Sequence, residues 1–135
     1  MKLEEVIKKL EQMNVLYIQE RIWEDPAKLP DFMAEFAAYL GILISNYGDF
    51  MELYRKKVAK VLTEEQDHAT VLNESVDKPS ERRSQAEIDR RVDIRISNLK
   101  GMREKFEAKV EAGKGLVSTM QSKRRAFSDE AKNLL

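Results

Sequence analysis

Between Asp31 and Leu62 the apolar positions Met33, Phe36, Leu40, Leu43, Tyr47, Phe50, Tyr54 and Val61 succeed one another in steps of three, four or seven. That spacing predicts a long helix packed lengthwise on other helices. Upstream, Leu3, Val6, Ile7, Leu10 and Met13 share one face of a shorter amphipathic helix, with Glu4, Lys8, Lys9 and Glu11 opposite. Val15–Ile18 is strand-like by propensity and leaves open whether that helix continues or breaks there. Downstream, Ile88, Val92, Leu99, Met102, Phe106, Val110, Gly113, Leu116, Val117 and Met120 carry a second long stripe.

Punctuation sets the boundaries. Asp25 is a capping residue and Pro26 suits a first helical position. Leu29 precedes Pro30, which predicts a second break with Leu29 outside the helix. Glu64–Leu72 is expected to fray, and Asn73–Ser80, with turn residues and a proline, is the main loop. Ser84 and Glu87 have capping-box spacing for the last helix. Gly41 and Gly48, seven residues apart, predict close approach of a partner helix, and Gly113–Gly115 predicts a kink or a second close approach.

These signals describe an all-α chain forming one domain over residues 1–135. It has an N-terminal helix in 1–22, a long helix in 30–70, a loop in 73–83 and a long C-terminal helix in 84–133. At ~1.5 Å per residue the long helices would measure about 47 and 70 Å, against a radius of gyration of roughly 14 Å for a compact domain of this size. The expected arrangement is therefore an elongated antiparallel helical hairpin carrying the smaller helix. Ile42, Ile44, Met51, Leu53 and Val58 fall off the main seam, so self-association through helix packing is expected to cover them.

Composition agrees with helices: 36% of residues are charged and 42% hydrophobic, with only 5 Gly and 3 Pro. The absence of cysteine excludes a disulfide framework and a thiolate metal site and fits a reducing compartment. No apolar run approaches the ~20 residues of a membrane span. Met1–Glu5, with its two carboxylates, does not read as a signal peptide. A cytosolic protein is expected.

Catalytic chemistry is not indicated. There is one histidine, His68, expected to face solvent, and neither a nucleophile elbow nor a phosphate-binding glycine loop. Gly113-Lys114-Gly115 lacks the upstream glycine and the hydroxyl residue that a P-loop places after its lysine. Glu64/Glu65 and similar carboxylate neighbours point different ways on a helix and read as solvated faces. No enzyme activity, cofactor or metal is expected.

Net charge is zero, yet residues 1–67 hold nine Lys/Arg against thirteen Asp/Glu and residues 68–135 fifteen against eleven. Segregation of this kind can steer a polyanion to one region, or it is the ordinary fluctuation of a charge-rich helical surface. Two basic clusters stand out: Arg55, Lys56, Lys57 and Lys60, and Lys109, Lys114, Lys123, Arg124 and Arg125. In an antiparallel hairpin the first lies near the turn, opposite Arg82, Arg83, Arg90 and Arg91, and the second at the other end. One chain therefore offers no single patch, whereas an oligomer presenting several copies would accumulate phosphate contacts. Tyr54 offers a stacking face for a base, but its seam position assigns it to the core.

Several short motifs resemble those of the UvsY-type recombination mediators of T-even phages. They are Glu24–Pro30 leading into a long helix, Leu53-Tyr54-Arg55-Lys56-Lys57 on that helix, Lys114-Gly115-Leu116, and Arg125-Ala126-Phe127. The resemblance covers most of the chain; Val61-Leu62-Thr63-Glu64 stands where the family's Tyr-Tyr-Gly would be expected. It implies a ring-like homo-oligomer, without cofactor, in the cytoplasm of an infected host. Such a protein binds single-stranded DNA and contacts a RecA-like recombinase and a single-strand-binding protein, loading the first as the second is displaced. Arg55, Lys56, Lys57, Lys60, Lys114, Arg124 and Arg125 are the DNA-binding candidates, with Arg55 and Lys57 the contacting pair. Phe106, Val110, Leu116, Val117, Met120 and Phe127 are the candidate assembly residues. The alternative is a non-enzymatic helical adaptor that acts through protein contacts alone. A regulator binding duplex DNA finds no helix-turn-helix here to support it.

Overall fold

The computed structural model describes residues 1–134. Among them the regular elements are all helical: α1, Leu3–Gln19; α2, Leu29–Ser75; and α3, Gln85–Asn133, with single 3-10 turns at Ile22–Glu24 and Pro79–Glu81. None of these helices is long and apolar enough to cross a membrane.

Glu4 and Glu5 place negative charge against the exposed N–H groups of the first turn of α1. The helix runs straight through Val15–Ile18. Tyr17 is buried there, with its ring 5.4 Å from Trp23 and 5.7 Å from Phe32, while Val15, Leu16 and Ile18 face solvent. Burial of one aromatic outweighs the weaker strand propensity of its neighbours. Arg21 then takes a left-handed conformation (φ 50°), which stops the helix.

Asp25 accepts hydrogen bonds through Oδ1 from the N–H groups of Ala27 (2.9 Å) and Lys28 (3.2 Å). Its own carbonyl accepts from Leu29 N–H at 3.0 Å. This turn leads directly into α2, so Leu29 is the first helical residue and not a break. Pro30 sits in the first turn, where a missing N–H costs nothing, and Leu29 is fully buried. The expected fraying at Glu64–Leu72 does not occur. Val61, Glu65 and Ala69 are all buried at four-residue spacing, and this inward face carries the helix to Ser75. Asn73 then clamps the chain: its Oδ1 accepts from Arg83 N–H (2.8 Å) and its Nδ2 donates to Arg83 C=O (3.3 Å). Ser84 caps α3 by accepting from Glu87 N–H at 3.2 Å. α3 passes through Gly113 and Gly115 without interruption.

The chain forms two compact units: Met1–Gly48 with the part of α3 from Phe106 onward, and Asp49–Lys105. In the first, Val6, Leu10, Met13 and Tyr17 of α1 meet Phe36, Leu40 and Leu43 of α2 and Val110 and Met120 of α3. Gly113 is where two helices approach closely. A Cβ there would stand 2.5 Å from Leu40 Cδ1, so glycine makes room for that leucine. Gly41 and Gly48 have nothing within 4 Å of a Cβ among the described residues, so the expected close approach of a partner helix is not seen there. In the second unit Val61 packs on Val92 and Ile96, with Val58 and Leu62 alongside. Within it α2 and α3 run antiparallel, since Tyr54, Val61, Glu65 and Asn73 meet Arg103, Ile96, Arg95 and Arg83 in turn.

Candidate nucleic-acid interface

In the second unit the seam of α2 keeps Tyr54 and Val61 inward and leaves the charged residues between them outward. Arg55, Lys56, Lys57 and Lys60 are all exposed. Lys56 pairs with Glu52 at 3.3 Å, whereas Arg55, Lys57 and Lys60 make no ion pair among the described residues. Tyr54 is core: it is 8% exposed, Phe50 lies 6.2 Å from its ring, and the Arg103 guanidinium sits 5.1 Å over its face. A base has no open ring to stack on there.

One turn further along α2, Glu64 and Glu65 form an ion network rather than a solvated face. Glu65 is 7% exposed and pairs with Arg83 (3.7 Å) and Arg95 (3.3 Å). Arg95 also donates to Glu64. That hydrogen bond holds the Glu64 carboxyl below the usual carboxylate range, and Lys60 and Lys57 add to the effect from longer range. The Glu64 partnership likewise raises the Arg95 guanidinium above its ordinary value. Arg90 and Arg91 share Glu87, at 3.7 and 3.3 Å. Arg90, Arg91, Arg95, Ile94 and Glu65 line a shallow depression of about 280 Å³.

The C-terminal cluster belongs to the other unit. Lys114 pairs with Glu111 at 3.6 Å; Arg124 and Arg125 are exposed and line a depression with Met33, Gln121 and Ser128. The seven candidate DNA-binding residues therefore divide four and three between the two units. The candidate assembly residues are engaged within the chain: Val110 and Met120 are buried in the first core, and Phe106, Leu116, Val117 and Phe127 pack against it. Among the described residues no group of His, Asp and Glu is placed to hold a metal ion.

Sequence reasoning missed Glu64, Glu65 and Arg95. One signal was present, because Val61, Glu65 and Ala69 continue the seam, and a carboxylate on a seam position calls for a buried cation. The chain was compared with family models, curated proteins and solved structures, and none matches.

Proposed function

We propose that this chain is a single-stranded DNA-binding recombination mediator. The observation that carries the reading is the group Arg55, Lys57 and Lys60, three exposed cations without an ion-pair partner among the described residues, on the stretch of α2 between the inward-facing Tyr54 and Val61. Three such cations give a salt slope of about −2 per chain on single strands. The resemblance of Leu53–Lys57 and Arg125–Phe127 to the UvsY-type mediators supports the same reading.

In this proposal elongated hairpins assemble into a ring, in the cytoplasm of an infected host, and multiply a short basic row into a track. The ring loads a RecA-like recombinase while a single-strand-binding protein leaves. Assembly draws on the exposed Ile42 and Ile44 and on Val15, Leu16 and Ile18, since Val110 and Met120 are taken up by the first core. Fluorescence anisotropy with a labelled oligothymidylate, followed over a salt series, tests the proposal. Arg55→Ala/Lys57→Ala should weaken binding about tenfold and flatten the salt slope by about 1.4. Light scattering should show the oligomer unchanged. Absence of binding by the wild-type chain at low salt would refute the proposal. It would favour an adaptor acting through Leu53, Val71, Ile94 and Met102, large apolar side chains that face solvent.

A further inference from the structure

We infer that Arg90, Arg91 and Arg95 form a second phosphate subsite, on α3, and that Glu64 occupies it in the unbound protein as a carboxylate in place of phosphate. The inference rests on the single-stranded DNA reading above and extends it to residues outside the α2 row.

The arginine side of the network is in excess. Arg83, Arg90, Arg91 and Arg95 are answered by three carboxylates, Glu64, Glu65 and Glu87. The guanidinium fork recognises carboxylate and phosphate by the same pair of N–H donors, so a site that holds one suits the other. Arg95 uses Nη1 for Glu65 and Nη2 for Glu64. These two partners differ in how firmly they are fixed. The Glu65 side chain is 9% exposed and also engages Arg83, whereas that of Glu64 is 37% exposed and, among the described residues, forms a direct ion pair only with Arg95. Exchange of Glu64 for a phosphate therefore leaves Arg95 anchored and aimed by Glu65.

The subsite also lies where the α2 row leads. Lys57, Lys60 and Glu64 are spaced three and four apart, hence on one side of α2, and both lysines act electrostatically on the Glu64 carboxyl. Arg95 reaches that same carboxyl from α3. Arg91, four residues before Arg95, shares its face, and Arg90, Arg91 and Arg95 open onto one depression. A strand backbone neutralising Lys57 and Lys60 thus meets the arginines next, with Glu64 at the junction.

The test is oligothymidylate anisotropy over a salt series with the full chain. Glu64→Gln should tighten binding about threefold to tenfold and steepen the salt slope by about 0.7, one added phosphate contact. Arg90→Ala/Arg91→Ala should weaken binding and flatten the slope by about 1.4. Glu81→Gln, an exposed charge removal in the same unit, should change affinity less than about twofold. Circular dichroism checks that each variant keeps its helices; if Glu64→Gln does not fold, the arginine pair decides. Suppose wild type binds and loses affinity with Arg55→Ala/Lys57→Ala, yet the Arg90/Arg91 variant binds like wild type. The arginines are then structural only, and this inference falls while the mediator reading stands. It falls equally if Glu81→Gln tightens binding as much as Glu64→Gln does. Failure of wild type to bind removes both.

Discussion

Gly113→Ala sets two opposed effects against each other at one position. Alanine in a helix interior is about 1 kcal/mol more favourable than glycine. The new Cβ, however, would stand 2.5 Å from Leu40 Cδ1, far inside contact distance. A leucine tip moves easily at a surface, but Leu40 is 5% exposed and held among Phe36 and Leu43 in the first core. Displacing such a side chain costs about 1–3 kcal/mol. The net change should be destabilising by about 1 kcal/mol, or roughly 3–4 °C in Tm for a chain of this length. Gly115→Ala is the control, because nothing lies within 4 Å of its Cβ. It should stabilise by about 1 kcal/mol. Leu40→Ala alone should cost about 2–5 kcal/mol, and in its presence Gly113→Ala should become stabilising, with a coupling of about 1–3 kcal/mol. Thermal and urea unfolding followed at the helical band would measure all four variants. If Gly113→Ala stabilises as much as Gly115→Ala in the wild-type background, Leu40 is not confined and the reasoning fails.

Two further outcomes concern stability. The Glu64 carboxyl is depressed in the folded chain, first by the hydrogen bond from Arg95, so its contribution is present above the unfolded carboxyl pKa and is lost as pH falls through the folded one. Glu64→Gln should therefore lose less stability than wild type on acidification from neutral pH, and urea midpoints that fall in parallel for the two proteins would contradict this. Met120 is fully buried against the first core, so Met120→Ala should cost about 3 kcal/mol. A Tm within about 2 °C of wild type would show that side chain to be poorly packed.

Much of the fold was legible because helix packing writes itself into spacing. Phe36, Leu40, Leu43, Tyr54 and Val61 of the predicted seam are buried, and Ser84 caps α3. The misses have local physical causes. Leu29 was placed outside the helix by the rule for residues before proline, but the Asp25 turn supports a helical start there. Glu64–Leu72 looked polar and frayed because Glu65, inward-facing, counted as a surface charge; its cost of burial is met by Arg83 and Arg95, distant in sequence. Ile96, outside the predicted stripe, is buried, while Met102 within it is 55% exposed. Of the candidate site, the Arg55–Lys60 row could be read from its charge run. The Glu64–Arg95 pairing could not, since nothing local relates two residues thirty-one apart.

The clamp between Asn73 and Arg83 has a consequence for engineering. One carboxamide grips the N–H and the C=O of a single residue at the base of the loop, and the exposed stretch Asp77–Arg82 lies beyond it. The register between the end of α2 and the start of α3 is therefore set before the loop begins, and the length of the loop is decoupled from it. Exposed loop tips of this kind tolerate insertion best. A purification tag or fluorophore peptide placed between Asp77 and Lys78 would report on the chain without altering how the helices meet.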